Sequence, residues 1–391
     1  MKKLKLVFVT GTRADYGKLK SLMLLCDADT DIEVYIYVTG MHLLPEYGFT
    51  YEDIVADGYK NIRIPGNFTC SEKMDENLAH TILHFSTFVR EIKPDFIVVH
   101  GDRIEPLAGS IVGALNNVRV AHIEGGEITG TVDELMRHAI SKLSHLHFVA
   151  NEESKIRLLQ LGEHENSIYV IGSPDIDIML SDTLPSVAEV KAKYGIDFEK
   201  YSICIYHPVT TSTHLKYEIG QIVSALYASN KNYIVIYPNN DHGSEVIKDS
   251  LNTLNGCEHF AFFKSIPFEH FLVLLKNSDC IIGNSSAGIH EACVYGVPAI
   301  DIGTRQNKRY IPGVLKNIQH STEDCQDILS CIVKIDNYRH QSNYFGYGQS
   351  ARLFLDVIKS ATVLEGDLQK TFVELDVTSD AIRNYINEVC F

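Results

Sequence analysis

Positive charge is scarce in this chain of 391 residues: 35 Lys and Arg stand against 50 Asp and Glu, a formal net charge of −15. Nucleic-acid backbones and anionic membrane surfaces reward clustered Lys and Arg, so neither is expected as a partner. Apolar runs are short as well, and none approaches the roughly 20 residues that a membrane-spanning helix needs. We therefore predict a protein that binds neither nucleic acid nor membrane.

Two common nucleotide-binding signatures are also missing. The loop that follows the first apolar run, residues 11–18, lacks the Gly-x-Gly-x-x-Gly pattern, which disfavours a nicotinamide or flavin dinucleotide. No Gly-x-x-x-x-Gly-Lys-Ser/Thr stretch occurs, which disfavours a P-loop nucleotide hydrolase. The histidines show no metal-ligand spacing with Cys or acidic residues. We predict no cofactor and no catalytic metal.

The nine cysteines form no Cys-x-x-Cys pair, and several lie in apolar runs. Such cysteines are typical of buried thiols in a reducing compartment. Met1-Lys2-Lys3 resembles the start of a signal peptide, but the apolar run Leu4–Val9 that follows is too short for one. A cytoplasmic protein is the expectation.

The chain does contain a repeated alternation of strand-length apolar runs with helix-like stretches. The runs are Leu4–Thr10, Glu33–Val38, Phe96–His100, Val118–Ile123, His147–Ala150 and Tyr169–Ile171, then Tyr201–Tyr206, Tyr233–Tyr237, His259–Phe263, Cys280–Gly283 and Pro298–Ile302. This alternation is typical of βαβ units, and the chain length suits two domains. We predict an α/β fold of two doubly wound, Rossmann-like domains, with the ligand in the cleft between them.

The alternation is interrupted between Gly172 and Pro185, where Gly, Ser and two Pro fall close together. We therefore place the N-terminal domain at residues 1–172 and the C-terminal domain at residues 173–365. From Ser350 onward the sequence is typical of helix, with an apolar face that could cross back to the first domain. A C-terminal helix at about 366–391 could also pack on that domain.

Three carboxylates stand close in sequence, and two of them follow predicted strands. Asp102 and Glu124 come after the third and fourth runs, and Asp133 begins a helix in which Arg137 lies one turn later. Ligands of open α/β sheets bind beyond the carboxyl ends of the strands, so these acids should point into a cleft. Each acid alone is more often a solvated loop residue or a helix cap. Three acids with an Arg nearby favour general acid–base chemistry.

A second group of residues, in the C-terminal half, fits a bound phosphate. Ser285 and Ser286 stand in a small-residue turn between an apolar run and a helix-like stretch, where hydroxyls, free N–H groups and the helix dipole can bind an anion. An ordinary turn with Ser as a helix cap explains that pattern equally well. Glu291 could accept hydrogen bonds from a ribose, and His207 could donate a proton or a hydrogen bond to a leaving diphosphate. Cations that could reach the same crevice are Arg13, Lys18 and Arg305.

Eight short motifs together resemble the hydrolysing UDP-N-acetylglucosamine 2-epimerases. They are Gly-Thr-Arg-Ala-Asp-Tyr-Gly-Lys (11–18), Val-His-Gly-Asp-Arg (99–103), His-Ile-Glu-Gly-Gly-Glu (122–127), Ile-Ser-Lys-Leu-Ser-His (140–145), Ile-Gly-Ser-Pro-Asp (171–175), His-Pro-Val-Thr-Thr (207–211), Gly-Asn-Ser-Ser-Ala-Gly (283–288) and Gly-Thr-Arg-Gln (303–306). The resemblance runs from the first strand to about Arg305 and thins beyond about Tyr310.

The resemblance implies a two-domain fold of the glycosyltransferase B type. It also implies conversion of UDP-N-acetylglucosamine and water into N-acetylmannosamine and UDP, the first step of sialic acid synthesis, in a homodimer or larger homo-oligomer. In the family pattern the acids that match Asp102, Glu124 and Asp133 carry catalysis, assisted by Arg137 and His207. The UDP contacts that the resemblance implies are Arg13, Gly17, Arg103, His207, Asn239, Ile266, Ser285, Ser286, Glu291 and Arg305. Ile266 would act through its backbone on the uracil.

Several alternatives stay open. An enzyme acting on a UDP-2,4-diacetamido-2,4,6-trideoxyhexose would carry the same nucleotide motifs. A non-hydrolysing epimerase would return UDP to the glycal intermediate, but residues 124–127 and 131–134 follow the hydrolysing pattern. A glycosyltransferase of this fold needs fewer inward acids, and a catalytically silent nucleotide-sugar sensor needs only the binding half.

The division of labour among the acids is also open. Inversion at C2 requires proton transfer on both faces of the sugar, which calls for two differently placed acids. Asp102 and Asp133 are the leading pair, and Glu124 would bind the sugar or activate water.

Overall fold

The computed structural model describes residues 3–45, 48–66, 73–128, 132–209, 214–238, 243–307, 309–310 and 313–374. The chain divides into two compact units. Of the described residues, those within 1–127, 131–172 and 351–391 form the first unit, and those within 128–130 and 173–350 form the second. Each unit is built on one sheet of parallel strands, as the alternation of runs predicts.

In its described part, the first unit contains seven strands and the helices that connect them. The strands are β1 (Leu4–Thr10), β2 (Ile32–Val38), β3 (Ile62–Arg63), β4 (Phe96–His100), β5 (Arg119–Ile123), β6 (Leu146–Val149) and β7 (Ile168–Val170). The helices are α1 (Arg13–Ala28), α2 (Tyr51–Ala56), α3 (Met74–Ile92), α4 (Ile104–Leu115), α5 (Val132–Leu143) and α6 (Glu152–Gln160). The strand order is β3-β2-β1-β4-β5-β6-β7, so the chain changes direction across the sheet between β1 and β4. Ligands of such sheets bind at this switch point.

The strand β1 shows why these apolar runs form buried strands. Leu6 and Phe8 pack into the core on one side of the sheet, while Val7 and Val9 pack into the core on the other side. A parallel strand covered on both faces needs a nearly continuous apolar run rather than an alternating one. The strand ends where Thr12 and Asp15 form a reciprocal capping box that begins α1.

The second unit repeats this plan, with six strands among the residues that the structure describes. They are β8 (Ser202–Ile205), β9 (Tyr233–Ile236), β10 (Phe260–Phe263), β11 (Ile281–Gly283), β12 (Ala299–Ile302) and β13 (Ile318–Ser321), in the order β10-β9-β8-β11-β12-β13. The helices are α7 (Asp175–Met179), α8 (Val187–Tyr194), α9 (Leu215–Ala228), α10 (Ser244–Asn252), α11 (Phe268–Lys276), α12 (Glu291–Tyr295) and α13 (Cys325–Val333). Its switch point lies between β8 and β11.

The chain returns to the first unit at Ala351, earlier than the boundary at residue 365 that the sequence indicates. Helix α14 (Ser350–Ile358) carries Phe354, Leu355 and Ile358 into the core that also contains Phe8, and α15 (Ala361–Leu364) follows it. Burial of this apolar face decides the boundary. Residues 366–374 are not helical, contrary to the predicted C-terminal helix, and the remainder of that prediction, 375–391, lies outside the described residues.

The eleven predicted strands are present with nearly the predicted bounds, and those of β1 and β4 are identical. Two strands, β3 and β13, were not expected. Both lie at sheet edges; β3 has only two residues, and β13 carries the exposed His320. Across the described ranges, no helix is both long and apolar enough to span a bilayer.

Candidate active site

Two of the three predicted catalytic acids lie at the carboxyl ends of β4 and β5. These strands pair in register up to His100 and Ile123, so the segments that follow them are neighbours. Asp102 lies in the turn between β4 and α4, and Glu124 directly follows β5. Asp133 lies in the first turn of α5, as predicted. The strand-end argument therefore placed Asp102 and Glu124 at the correct edge of the sheet.

Glu124 is buried, with only 4% of its surface exposed, and two basic side chains hold its carboxylate. The Lys18 ammonium lies 3.1 Å from each carboxylate oxygen, and His100 Nε2 lies 3.1 Å from Oε2. The backbone of Glu124 has a φ of 60°, a left-handed conformation that is strained for a residue with a side chain. Such strain is common at functional sites. A cation from α1 and an imidazole from β4 thus both contact the Glu124 carboxylate.

Arg137 holds a different set of groups. Its guanidinium is bonded to the carboxylate of Asp102, lies 3.4 Å from Glu127 Oε2, and donates a 2.7 Å hydrogen bond to the Glu124 carbonyl. Burial alone would lower the pKa of Arg137, but the nearby carboxylates, chiefly Asp102, raise that pKa above its ordinary value. Arg137 is therefore a permanent cation shared by two carboxylates.

Asp133 lies four residues before Arg137 on α5 and is half-buried. The contacts described for Arg137 run to Asp102, Glu124 and Glu127, so the expected pairing of Asp133 with Arg137 stays a prediction. His100 and Glu127 join the cluster although neither was predicted as a site residue. Both stand in motifs beside predicted acids, and that proximity in sequence was their only signal.

The turn after β5 depends on glycine. Gly126 has a φ of 76°, and a Cβ atom at this position would lie 2.3 Å from the Ser154 carbonyl oxygen. A side chain there would push this turn away from α6, and Glu124 and Glu127 lie on either side of it. Gly126 is therefore required for the placement of both acids.

The remaining predicted residues of the first unit lie on or near α1 and α4. Arg13 begins α1 and forms an ion pair with Asp53 of α2 at 3.0 Å, and Gly17 is buried within α1. Arg103 precedes α4 with its side chain half exposed, and its Nη2 lies 3.5 Å from Met41 Sδ. Lys18, the further cation predicted to reach the ligand, also lies on α1 and belongs to the acid cluster through its contact with Glu124.

Glu105, at the start of α4, is a buried acid that the sequence did not indicate. Only 4% of it is exposed, and its Oε2 atom has no hydrogen-bond partner among the described residues. Burial raises the pKa of this carboxyl, and Arg103 opposes that shift only partly. The folded protein therefore holds the proton of this acid more tightly than the unfolded chain does.

The raised pKa of Glu105 has a testable consequence for stability. A group that binds its proton more tightly when folded stabilises the protein at low pH, and this contribution is lost as the pH rises through the folded-state pKa. We expect Glu105→Gln to flatten the fall in melting temperature between pH 5 and pH 8. Thermal melts at both pH values test this, with the exposed Glu165→Gln as control. Parallel curves for wild type and Glu105→Gln would contradict it.

The predicted diphosphate residues of the second unit meet at its own switch point. His207 follows β8 and is buried, and burial together with Arg305 lowers its pKa to about 3. Its imidazole is therefore neutral near pH 7 and can offer a hydrogen bond but not a ready proton. Arg305 follows β12, and its Nη1 atom donates a 3.1 Å hydrogen bond to the Asn284 carbonyl. Asn284 therefore lies at the centre of this group, although it was not predicted as a site residue.

The turn after β11 differs from the expected strand–turn–helix arrangement. Ser285 caps a three-residue 3₁₀ helix, Ser286–Gly288, by accepting a 3.3 Å hydrogen bond from the Ala287 N–H. The α-helix that follows, α12, begins at Glu291 and has only five residues. Glu291 is thus the first residue of this helix. Because the helix is short, the expected help from a helix dipole is small.

Two predicted contacts remain. Ile266 is buried and lies directly before Pro267 and α11. Asn239 lies outside the described residues, so its predicted contact stays a prediction. In the described portion of the chain no three His, Cys, Asp or Glu side chains are grouped as a metal site would require.

These two groups differ in chemistry. The first unit presents carboxylates held by separate cations, an arrangement suited to proton transfer at more than one position of a substrate. The second unit presents a neutral histidine, hydroxyls and an arginine, which suit a negatively charged leaving group. Each group forms at the carboxyl edge of its own sheet.

Comparison with known proteins identifies a family and a fold. The family model described as UDP-N-acetylglucosamine 2-epimerase matches residues 25–359. The chain is 43% identical over 376 residues to the UDP-N-acetylglucosamine 2-epimerase of Neisseria meningitidis serogroup B, covering 95% of this chain and all of that protein. It is 37% identical to the UDP-N,N'-diacetylbacillosamine 2-epimerase (hydrolyzing) of Legionella pneumophila, covering 78% and 82% of the two chains. It is 34% identical to the polysialic acid biosynthesis protein P7 of Escherichia coli, covering 78% and 80%.

A solved structure has the same fold. The crystal structure of a UDP-GlcNAc 2-epimerase from Neisseria meningitidis, bound to UDP-GlcNAc, superposes with a TM-score of 0.76 at 18% identity, covering 91% of this chain and 99% of that one. The fold class predicted from the sequence, two Rossmann-like domains of the glycosyltransferase B type, is confirmed.

Proposed function

The chain belongs to the UDP-N-acetylglucosamine 2-epimerase family, and from this premise we propose that it is a hydrolysing UDP-N-acetylglucosamine 2-epimerase. Its reaction would convert UDP-N-acetylglucosamine and water into N-acetylmannosamine and UDP. The relatives named above include a UDP-N-acetylglucosamine 2-epimerase, a hydrolysing 2-epimerase and a polysialic acid biosynthesis protein, which together support the reaction and its place at the start of sialic acid synthesis.

The observation that carries the mechanism is the separate support of two carboxylate groups. Lys18 and His100 hold Glu124, while Arg137 holds Asp102 and Glu127. Inversion at C2 needs a base on one face of the sugar and an acid on the other, so one carboxylate would not suffice. Asp133, in the first turn of α5, is the further predicted member of this set.

The order of steps follows from the substrate. The C2 proton beside a neutral acetamido group is very weakly acidic, so C1–O cleavage must precede or accompany its removal. UDP leaves with the electron pair of the C1–O bond, a carboxylate takes the C2 proton, and the C2–H electrons form the C1=C2 bond of a 2-acetamidoglucal. Water then adds its oxygen to C1 while an acid protonates C2 from the opposite face. The free sugar is released with C2 inverted.

The second unit would serve the departing diphosphate. We propose that Arg305, Ser285 and Ser286 stabilise the negative charge of the diphosphate. The neutral His207 would donate a hydrogen bond to it. In the first unit Arg13, Gly17, Lys18 and Arg103 stay proposed UDP contacts, and Ile266, Glu291 and Asn239 stay proposed contacts of the nucleoside in the second. Arg13 would have to exchange its ion pair with Asp53 for the ligand.

Proton NMR in deuterated water tests the reaction directly. With UDP-N-acetylglucosamine and no added metal, we expect free N-acetylmannosamine carrying deuterium at C2, together with UDP. Product returned as a nucleotide sugar would favour the non-hydrolysing type. No UDP release would overturn the proposed substrate, and a UDP-2,4-diacetamido-2,4,6-trideoxyhexose would then be the substrate to test, because the chain is also related to a UDP-N,N'-diacetylbacillosamine 2-epimerase.

Arg305→Ala is expected to weaken UDP binding by roughly 1.5–3 kcal/mol, the usual worth of a hydrogen bond to a charged group. Isothermal titration calorimetry with UDP measures this loss. Arg339→Ala is a suitable control because Arg339 lies in the same unit with a half-exposed side chain. It donates a hydrogen bond to the Asp279 carbonyl and pairs with the carboxylates of Asp279 and Asp336, away from the proposed diphosphate site. Unchanged affinity for Arg305→Ala would place the diphosphate elsewhere.

We also propose a cytoplasmic location and a homo-oligomeric state. The seven cysteines within the described ranges are all free, which supports a reducing compartment. The homo-oligomer rests on the family resemblance, and light scattering of the purified protein measures it.

A further inference from the structure

Asn284 forms an unusual bridge to the residue that we assign to the leaving diphosphate. Its side-chain oxygen accepts a 2.6 Å hydrogen bond from the His207 N–H, and its side-chain nitrogen donates a 2.8 Å hydrogen bond to the His207 carbonyl. The Asn284 side chain is completely buried. One amide therefore holds both polar groups of the His207 backbone.

This bridge stands where the sheet ends. The paired strands β8 and β11 stop at Ile205 and Gly283, and the Asn284 N–H still bonds the Ile205 carbonyl at 3.1 Å. Beyond that point the Asn284 side chain makes the hydrogen bonds to the His207 backbone that a neighbouring strand would make within the sheet. The backbones of β8 and β11 lie close together at this point. A Cβ atom on Gly283, whose φ is 134°, would lie 1.9 Å from the Ile205 oxygen. His207 is thus supported after its strand has ended.

The backbone of Asn284 supports the other side of the same group. Its carbonyl accepts the 3.1 Å hydrogen bond from Arg305 and a 2.7 Å hydrogen bond from Gln306 Nε2. Ser285 follows directly in sequence. Side chain and main chain of one residue therefore contact two different members of the proposed diphosphate site.

We propose that Asn284 is the positioning residue of this site: its side chain fixes His207, and its carbonyl orients Arg305. The proposal rests on the function assigned to those two residues. Asparagine suits the task because it offers one acceptor and one donor at the correct separation. Aspartate would accept from the His207 N–H but would set a second oxygen against the His207 carbonyl.

Double-mutant cycles test this assignment. Asn284→Ala removes both contacts to His207 but keeps the carbonyl that Arg305 uses. We expect Asn284→Ala alone to lower turnover by at least ~10-fold, as expected for two lost hydrogen bonds. In a His207→Ala background, Asn284→Ala should lower turnover by less than about 2-fold. In an Arg305→Ala background, the fold-losses in turnover of the two substitutions should multiply. Turnover and the UDP dissociation constant are both measured for every variant.

A matched control separates positioning from general stability. Asn317 is equally buried in the same unit, and its side chain bonds the Val297 carbonyl at 3.1 Å, away from the site. Asn317→Ala should leave turnover and UDP affinity near wild type even if it lowers the melting temperature. Asn284→Asp, which keeps the shape, should resemble Asn284→Ala in activity.

Three outcomes would overturn the proposal. The first is an Asn284→Ala substitution that lowers turnover by the same factor in the wild-type protein and in His207→Ala. Another is wild-type UDP affinity and turnover in Asn284→Ala. The third is failure of both Asn284 variants to fold while Asn317→Ala folds, which would assign Asn284 to stability alone. A wild-type protein that releases no UDP from UDP-N-acetylglucosamine would instead overturn the proposed function. The double-mutant cycles would then be evaluated from the UDP dissociation constants alone.

Discussion

Asp102→Asn is expected to reduce turnover by at least ~100-fold, the low end for loss of a general acid or base. The amide keeps the shape of the side chain but can neither take nor return a proton at the sugar. Affinity for UDP should stay near wild type, because the proposed diphosphate contacts are formed by other side chains. Steady-state kinetics and UDP calorimetry measure the two quantities, and Asp133→Asn should behave in the same way.

Asp29→Asn is the matched control for this experiment. Asp29 lies at the C-terminal end of α1 in the same unit, about three turns beyond Lys18, and forms an ion pair with Lys359 at 2.7 Å rather than with the acid cluster. Its substitution should leave turnover unchanged. If Asp102→Asn turned over as fast as wild type, Asp102 would be removed from the catalytic residues, and Glu124 and Glu127 would become the leading acids.

Arg137→Met is expected to damage both stability and turnover. The change keeps an apolar stem but leaves Asp102 and Glu127 without their shared cation. Loss of one partner from a buried ion pair usually costs several kcal/mol, but about a fifth of each carboxylate side chain is exposed, so roughly 1–3 kcal/mol is expected. Turnover should fall by at least ~100-fold because the acids lose their placement. Denaturant unfolding and steady-state kinetics measure these effects.

The pH dependence of Arg137→Met distinguishes lost charge from lost packing. Without the guanidinium the two carboxylates repel each other, and protonation relieves that repulsion. The stability deficit should therefore be smaller at pH 5 than at pH 8. Arg137→Lys should recover only part of the loss, since a single ammonium cannot reproduce the planar fork of contacts. Arg352→Met, in an exposed pair with Asp356, is the control and should cost little at either pH.

The fold could be predicted well where the signal is local. A parallel strand buried on both faces needs a nearly continuous apolar run, so the runs ending at His100 and Ile123 indicated both the strands and the acids that follow them. The edge strands β3 and β13 gave too weak a signal because they are short or partly exposed. The domain boundary at residue 365 was placed too late, although the helix from Ser350 was expected to be able to cross back. The boundary depends on the burial of Phe354 against residues at the other end of the sequence.

The proposed site likewise has residues that the sequence indicated and properties that it did not. Motif spacing was sufficient to identify Asp102, Glu124, Asp133, Ser285 and Arg305 as candidates. It could not indicate that Glu105 is buried, that His207 is held neutral, or that α12 is too short to supply a strong dipole. These properties depend on what surrounds each side chain after folding.

The sequence by itself determined the two parallel-sheet domains, the edge of each sheet at which polar residues collect, and the family to which the chain belongs. Those features depend on apolar runs and on short motifs, which are local in the chain. Only the tertiary structure decided which acid shares which cation and how His207 is held. Lys18 and Glu124 are 106 residues apart and His207 and Asn284 are 77 apart, and such contacts exist only once the strands have been ordered within their sheets.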